Sequence, residues 1–268
     1  MTLHTHVEGG VAELFLDHPP VNAPDSAGWN QIADAVTRLG YDDAVRCIIL
    51  AARGKGFCAG VDIKELAADA SRITAVNAAC FRAFAAVHDC PVPVVAACHG
   101  YVLGGGIGLV GSCDVIVAAD DARFGLPEID RGALGAASHL MRMFPIQKVR
   151  RMLFTGEPID AAEAYRLGAL EWIGPREALM AQAHRVADSI AAKSPKAMRL
   201  AKECMNGIEL LDIKRSYRFE QGFTLELYTS PDSQEARDAF VEKREARYQD
   251  RGSPEASTRP GAPSKKEG

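Results

Sequence analysis

The first half of the chain alternates short apolar runs with longer amphipathic stretches. Two runs flank Gly9-Gly10 and predict a hairpin over residues 7–17. Three further runs are apolar on both faces and therefore predict buried strands, at residues 45–52, 92–98 and 114–119. The stretches after the hairpin predict helices, at about 27–39, 69–88 and 104–111. This alternation of strand and helix indicates an α/β fold with a largely parallel sheet.

From about residue 135 the pattern changes to one helix after another. Asp160 and Glu163 form a capping-box pattern, and the pairs Ser194-Pro195 and Ser230-Pro231 each mark a helix start. We expect two long helices at the end of the folded part, over 208–227 and 232–248. The last twenty residues hold no Ile, Leu, Val, Met or aromatic residue. We therefore divide the chain into a core (1–195), a helical region (196–248) and a disordered tail (249–268).

Composition and charge exclude several classes of partner. The chain of 268 residues has 47% hydrophobic and 25% charged residues, an ordinary globular mixture. Its net charge of −4 argues against nucleic acid as a partner. The apolar run at 102–119 is broken by glycines and an aspartate, which argues against a membrane span. Seven scattered cysteines and the lack of HExxH or CxxC spacing favour a cytoplasmic protein without a metal site.

Two glycine-rich loops are the main candidates for a functional site. GFCAGVDIKE (56–65) and HGYVLGGGIG (99–108) each follow a predicted buried strand and lead toward a helix. Helix starts present N–H groups without acceptors, so two such starts side by side would stabilise an oxyanion. The alternative is that the glycines only serve turns and close packing. Residues 106–111 also match GxGxxG, but the match does not directly follow a strand, which disfavours a nicotinamide site.

Several segments of the chain, in order, resemble the crotonase superfamily, the enoyl-CoA hydratase/isomerase family. They are PPVNA (19–23), GKGFCAGVDIKEL (54–66), PVPVVAACHGYVLGGGIGL (91–109), SCDVIVAADDARFGLPEIDRGALG (112–135), LFTGEPIDAAEAYRLGAL (153–170) and FVEKREARY (240–248). The resemblance implies a spiral of turns, each of two strands and a helix, with a helical carboxyl-terminal region that assembles trimers or dimers of trimers. It also implies an acyl-CoA substrate and no separate bound cofactor.

The resemblance also assigns roles to residues of this sequence. The backbone N–H groups of Val61 and Gly105 would form the oxyanion hole for the thioester carbonyl, and Glu128 in FGLPE would be the catalytic carboxylate. The implied CoA-binding residues lie in the loops and in the last helix: Asn22, Ala23, Ala59, Asp62, Ile63, Lys64 and Lys243. For Lys64 and Lys243 the alternative is a solvated surface charge that contacts no ligand.

Two positions depart from the pattern of family hydratases, which resemble one another in having two glutamates. The first glutamate position holds Gly108 here, and a third acidic position found in some relatives holds Ala136. One remaining carboxylate suits proton transfer between carbons, or hydrolytic carbon–carbon cleavage of a β-dicarbonyl, better than hydration. The alternatives are a hydratase or 3,2-enoyl-CoA isomerase of fatty-acid β-oxidation and a non-catalytic scaffold.

Three longer segments look like a subgroup of bacterial ring-opening CoA hydrolases of sterol catabolism: GYVLGGGIGLVGSCDVIVA, FGLPEIDRGALGAASHL and YRFEQGFTLEL. This likeness implies that Gly108 leaves room for a bulky ring. Arg131 and His139 are candidates for a hydrogen bond to a ring carbonyl, with an ion pair or simple packing as the alternatives. Cys58 lies beside the expected pocket and is the one cysteine worth testing for reactivity.

Overall fold

The computed structural model describes residues 1–63, 65, 70–131, 133–209, 222, 226 and 230–248. Its strands are β1 (Thr2–Glu8), β2 (Val11–Asp17), β3 (Cys47–Ala52), β4 (Val94–Cys98), β5 (Tyr101–Leu103), β6 (Val115–Ala119), β7 (Arg123–Gly125), β8 (Ile159–Asp160) and β9 (Trp172–Gly174). Its helices are α1 (Ser26–Gly40), α2 (Ile73–His88), α3 (Gly105–Val110), α4 (Ala137–Met143), α5 (Ile146–Thr155), α6 (Ala161–Arg166), α7 (Leu179–Ala191), α8 (Pro195–Ile208) and α9 (Pro231–Glu242).

The strands form two sheets. The larger has the order β1-β2-β3-β4-β6-β9 and is parallel except for the β1–β2 hairpin, where both glycines of the turn have positive φ. The smaller has the order β5-β7-β8. The predicted α/β class and the largely parallel sheet are confirmed, and so is the hairpin.

Layers on both faces of the larger sheet explain why its central strands are apolar throughout. Ile48 and Leu50 of β3 belong to the core cluster that includes α1 and α2, whereas Ile49 packs with α7 on the opposite face. Because successive side chains of a strand point to opposite faces, a strand covered on both sides must be apolar at every position. Within the described residues no helix is long and apolar enough to cross a membrane.

Several predicted boundaries are confirmed by the caps. Asp25 accepts a hydrogen bond from the Gly28 N–H at the start of α1, and Asp160 accepts one from the Glu163 N–H at the start of α6. Ser194 caps α8, whose first residue is Pro195. The helix predicted from residue 69 begins at Ile73, after a 3₁₀ turn over Ala70–Arg72.

The last described helix ends earlier than the sequence predicted. We expected it to reach residue 248, but α9 ends at Glu242. Lys243 has a φ of +54°, and the Arg244 N–H donates to the Ala239 carbonyl, which is the bonding of a Schellman motif. The Arg244 guanidinium also pairs with Glu235 and holds the turned chain against the helix. Most of the helix predicted over 208–227, and the tail predicted over 249–268, lie outside the described residues.

A buried lysine fixes α8 to the larger sheet. The Lys202 side chain is 4% exposed, and its Nζ lies 2.7 Å from Asp114 Oδ2. It also donates to the carbonyls of Val87 and Val92, at 3.2 and 3.3 Å. All three ammonium donors therefore have acceptors, which is the condition under which a cation is tolerated in a protein interior.

We expect Lys202→Met to destabilise the fold by about 3 kcal/mol. It removes the cation paired with Asp114, which keeps the Val94 N–H as a donor, and it leaves two carbonyls without the ammonium. Urea unfolding followed by circular dichroism measures the change. Lys196→Met on the same helix is the matched control, since Lys196 is 47% exposed and its pair with Glu226 is 3.7 Å long. The control should cost less than ~1 kcal/mol. Equal losses in the two variants would contradict the anchoring role of Lys202.

Candidate active site

The two glycine loops lie side by side because one of them pairs with a strand. The Cys58 N–H donates to the Tyr101 carbonyl at 3.1 Å, and the Leu103 N–H donates to the Cys58 carbonyl at 2.9 Å. The first loop therefore continues the smaller sheet next to β5. Gly60 follows with a φ of +100°, and a Cβ placed on it would lie 3.4 Å from the Gly105 nitrogen. Residues 60–61 thus face the start of α3.

The start of α3 presents backbone N–H groups toward this junction. Gly105 is the first residue of the helix, so its N–H has no intrahelical acceptor. In the described part of the chain, no protein acceptor takes a hydrogen bond from the N–H of Val61 or of Gly105. Gly104 has a φ of +55° and its N–H donates to the Gly125 carbonyl, which ties the helix start to β7. The N–H groups of Val61 and Gly105 are thus available as donors beside the contact between Gly60 and Gly105.

Glu128 brings a carboxyl group to the same place. It lies in the 3₁₀ turn Pro127–Arg131, which directly follows β7. A Cβ placed on Gly104 would overlap Glu128 Oε1, so the carboxyl lies directly against the backbone that precedes Gly105. Oε2 is shielded from solvent. Two amide donors and one carboxyl group at a glycine-rich junction can polarise a carbonyl and move a proton beside it.

Three aromatic rings line the helix face that begins at Gly105. A Cβ on Gly105 would lie 2.7 Å from Trp29 Cζ2, and Trp29 packs edge-to-face on Phe84 with 5.6 Å between ring centroids. Phe84 in turn packs edge-to-face on His139, at 4.9 Å. We call Trp29, Phe84 and His139 the aromatic wall. Sequence reasoning identified neither Trp29 nor Phe84, since the only hint is that glycines in a helix leave space for large neighbours.

The structure places an aromatic ring beside Gly108, the position that was expected to leave room for a bulky ring. A Cβ on Gly108 would overlap the tip of the Phe84 ring, with Cε1 only 2.6 Å away. The space is therefore already filled by an aromatic side chain. The third acidic position holds Ala136, which is half-buried with a φ of +53° just before α4. Neither position supplies a carboxylate.

The candidate hydrogen-bond donors to a ring carbonyl are His139 and Arg131, and the structure describes the side chain of His139. His139 is half-buried, and burial, followed by the charges of Arg142 and His88, lowers its pKa below the ordinary value. A neutral imidazole at this place retains one donor and one acceptor. The Arg131 side chain lies outside the described parts of the chain, so its role stays a prediction.

Apart from Lys243, the predicted CoA-binding residues lie in the loop at 18–24 and in the glycine loop at 56–65. Asn22 is the one whose contacts are best defined. Its amide nitrogen donates to the carbonyls of Arg53 and Gly56, at 2.7 and 2.8 Å, and its Oδ1 accepts from the His18 N–H. Asn22 is 4% exposed. Its side chain therefore binds one loop to the other, and a ligand at this place would meet the backbone.

The other predicted CoA contacts vary in accessibility. Ala23, Ala59 and Asp62 are half-buried, and Ile63 is exposed. Lys64 lies outside the described residues. Lys243 is exposed, and it follows α9 instead of lying inside the last helix as predicted. The Ala59 N–H donates to the Val21 carbonyl, and the Asp62 N–H donates to the Pro24 carbonyl. These hydrogen bonds keep the segments 21–24 and 59–62 parallel.

Cys58 is not a reactive thiol in this fold. Its side chain is fully buried, and burial raises its pKa to about 12. A thiol with such a pKa is almost entirely protonated near neutral pH and is a poor nucleophile. The seven cysteines are all free and buried. No group of described residues could hold a metal ion.

The His99 side chain contacts the backbone at Gly54, just before the glycine loop at 56–65. It is 3% exposed, and its Nε2 lies 3.2 Å from the Gly54 carbonyl. Gly100, the next residue, has a φ of +57°, and a Cβ there would overlap the Lys55 carbonyl. Burial is the main cause that lowers the His99 pKa below 6.5, and the charge of Arg176 adds to it. The neutral imidazole is therefore the form that fits this packing.

The comparisons with known proteins agree on one family. The family model for enoyl-CoA hydratase/isomerase matches residues 6–251. A relative from Mycobacterium tuberculosis, named (7aS)-7a-methyl-1,5-dioxo-2,3,5,6,7,7a-hexahydro-1H-indene-carboxyl-CoA hydrolase, is 48% identical over 89% of this chain and 98% of its own length. The Rhodococcus jostii protein of the same name is 49% identical over 87% of this chain and 91% of its own.

A solved structure shows that the likeness extends to the fold. The crystal structure of an enoyl-CoA hydratase from Mycobacterium smegmatis superimposes with a TM-score of 0.88 at 30% identity, and the match covers 92% of this chain and 98% of that one. The expected crotonase fold is thus confirmed.

The pKa of His99 predicts a loss of stability in mild acid. Below pH ~6.5 the unfolded chain binds a proton at this residue while the folded chain resists it, so the free energy of unfolding falls as the pH falls. His99→Gln keeps a donor for Gly54 but cannot titrate. We expect its stability to decline less than that of the unmodified protein between pH 7 and pH 5, measured by urea unfolding at each pH.

The exposed residue His6 provides the control for this series. His6→Gln should leave the pH profile unchanged, because the His6 side chain is 66% exposed. A His99→Gln profile that runs parallel to that of the unmodified protein would show that His99 does not titrate as the structure implies.

Proposed function

Since this chain belongs to the enoyl-CoA hydratase/isomerase family, we propose that it opens the ring of a cyclic β-diketone-type CoA thioester by hydrolysis of a carbon–carbon bond. The observation that carries the proposal is the placement of Glu128 against Gly104, beside the N–H groups of Val61 and Gly105. Gly108, where a second acid would be expected, is covered by Phe84. The site therefore offers one carboxylate for proton transfer next to two backbone donors.

The backbone donors stabilise negative charge on the substrate. The thioester oxygen accepts hydrogen bonds from the N–H groups of Val61 and Gly105 when the thioester becomes an enolate. Since both donors belong to the main chain and are fixed by the pairing of Cys58 with β5, little reorganisation is needed during the reaction. Each such donor is typically worth about 3 kcal/mol of barrier.

Glu128 transfers the proton that the cleavage requires. Its carboxylate takes a proton from water as the oxygen adds to the ring ketone that lies β to the thioester carbonyl. The bond between that ketone carbon and the α-carbon then breaks, and its electron pair becomes the thioester enolate. Glu128 returns the proton to the α-carbon. One water is consumed, and the product is a ring-opened carboxylic acid that still carries CoA.

The substrate class is supported by the two hydrolases at 48% and 49% identity, whose name describes a bicyclic diketone with a CoA thioester. The half-buried apolar ring of Phe84 suits a compact hydrocarbon ring. We place the reaction in sterol or lipid catabolism. Hydration or 3,2-isomerisation of an enoyl-CoA is the second candidate, since one glutamate also suffices to move a proton between two carbons.

We propose further that CoA enters as part of the substrate and that no separate cofactor is needed. It would meet the loop edge formed by residues 22–23 and 59–64, with Lys243 reaching the CoA of a neighbouring subunit. A homotrimer or a dimer of trimers is supported by large exposed apolar side chains on and beside α4 and α5, namely Leu134, Met141, Ile146 and Phe154. The seven free cysteines support a cytoplasmic location.

Replacement of the carboxylate tests the reaction. We expect Glu128→Gln to lower kcat on a cyclic β-diketone CoA thioester by ~10²–10⁴-fold, because the amide cannot accept the proton of water. Affinity for CoA should stay within about twofold, since the change leaves the loop backbone intact. Mass spectrometry follows the gain of one water by the thioester, and calorimetry measures CoA binding.

Asp130→Asn is the matched control, because Asp130 lies in the same 3₁₀ turn and is exposed. It should retain activity. Full activity in Glu128→Gln would overturn the mechanism. Turnover of straight-chain enoyl-CoA alone would favour the second candidate, and absence of both activity and CoA binding would favour a non-catalytic scaffold.

A further inference from the structure

We infer that Phe84 is the residue that determines which acyl group this site accepts. This inference rests on the proposed function, because it assumes that the acyl group lies beside Gly105 and Glu128. The Phe84 ring fills the space next to Gly108 and so forms one side of that region. In this chain an aromatic side chain thus takes the volume where a second acid would be expected, and it limits the size of the acyl group.

The position of Gly108 on α3 connects Phe84 to the reacting centre. Gly108 is three residues after Gly105, so the two lie on the same face of the helix, about one turn apart. Trp29 lies against the Cβ direction of Gly105, and Phe84 lies against that of Gly108. The two rings are in edge-to-face contact. They therefore form a continuous apolar layer along α3, in which Trp29 is fully buried and Phe84 is the half-buried ring.

The contacts of Phe84 allow it to respond to what lies beside it. Trp29 on one side is fully buried, and His139 on the other is half-buried. Phe84 itself is half-buried and borders a groove of about 410 Å³ between α2 and α4. A group beside Gly108 that is larger than the remaining space must therefore push the ring toward the groove and break its contacts, which weakens binding, whereas a smaller group leaves the ring in place.

The chemistry of the ring agrees with a single-acid reaction. An aromatic edge donates no proton and holds no water, so a water bound beside Glu128 would have no second carboxylate to orient it. A compact ring would gain apolar contact with Phe84 at that place, because removal of apolar surface from water is favourable. Phe84 thus favours a bulky cyclic acyl group over a small straight-chain one.

Binding to acyl-CoA thioesters of graded bulk tests the inference without turnover. We would use Glu128→Gln as the parent and measure dissociation constants by calorimetry for acetyl, straight-chain, monocyclic, bicyclic and tricyclic acyl-CoA. Adding Phe84→Ala should weaken the bicyclic thioester by ~10-fold or more and strengthen the tricyclic one by a similar factor. A structural defect alone would weaken both.

Two further variants control for general effects of removing a ring and for loss of folding. Phe81→Ala removes a ring one turn earlier on α2 that borders the same groove and is 74% exposed, so it should leave the ranking unchanged. Phe84→Leu should shift the ranking in the same direction by a smaller factor, and it replaces Phe84→Ala if that variant does not fold. The same ranking in the parent and in the Phe84 variants overturns the inference.

A double-mutant cycle tests the contact with Gly108. The added methyl of Gly108→Ala would push the Phe84 ring aside, so it should change the ranking when Phe84 is present and have no effect in Phe84→Ala. Equal effects in both backgrounds, including no effect in either, overturn the inference. If the parent prefers straight-chain thioesters to all cyclic ones, the proposed substrate is wrong, but the shift in preferred bulk still reports on Phe84.

Discussion

The candidate site depends on a pair of backbone hydrogen bonds that join Cys58 to β5. The donor and acceptor groups of Cys58 are used by Tyr101 and Leu103, more than forty residues along the chain. This pairing places Gly60 against Gly104 and Gly105, with no Cβ on any of them to keep the strands apart. The positive φ at Gly60 and Gly104 completes the approach. The backbone donors and Glu128 meet because of this contact.

The central part of the fold could be predicted because its signal is local. Strands β3, β4 and β6 are apolar at nearly every position, and caps such as Asp25 and Asp160 mark helix starts within a few residues. The short strands β5, β7, β8 and β9 have two or three residues each, too few to show a period. The end of α9 was misplaced because Lys243 is not a residue type that signals a left-handed turn.

In the candidate site, too, the residues in sequence motifs could be predicted, whereas the residues brought together by tertiary packing could not. Glu128, Gly105 and Val61 stand in segments that resemble a family, so their proximity could be expected from the sequence alone. The aromatic wall joins Trp29, Phe84 and His139 from three separate helices, α1, α2 and α4. One sequence carries no record of such contacts. Gly108 illustrates the limit, since a missing side chain predicts a space but not which neighbour fills it.

The three hydrogen bonds of the buried Asn22 side chain have a consequence for the arrival of a ligand. They hold the segments at residues 18–22 and 53–56 together through protein contacts alone. An incoming thioester would then lose little affinity to the ordering of flexible chain. For a thioester that binds at this edge as proposed, the rate of association should depend on diffusion and orientation more than on the ordering of residues 18–22 and 53–56.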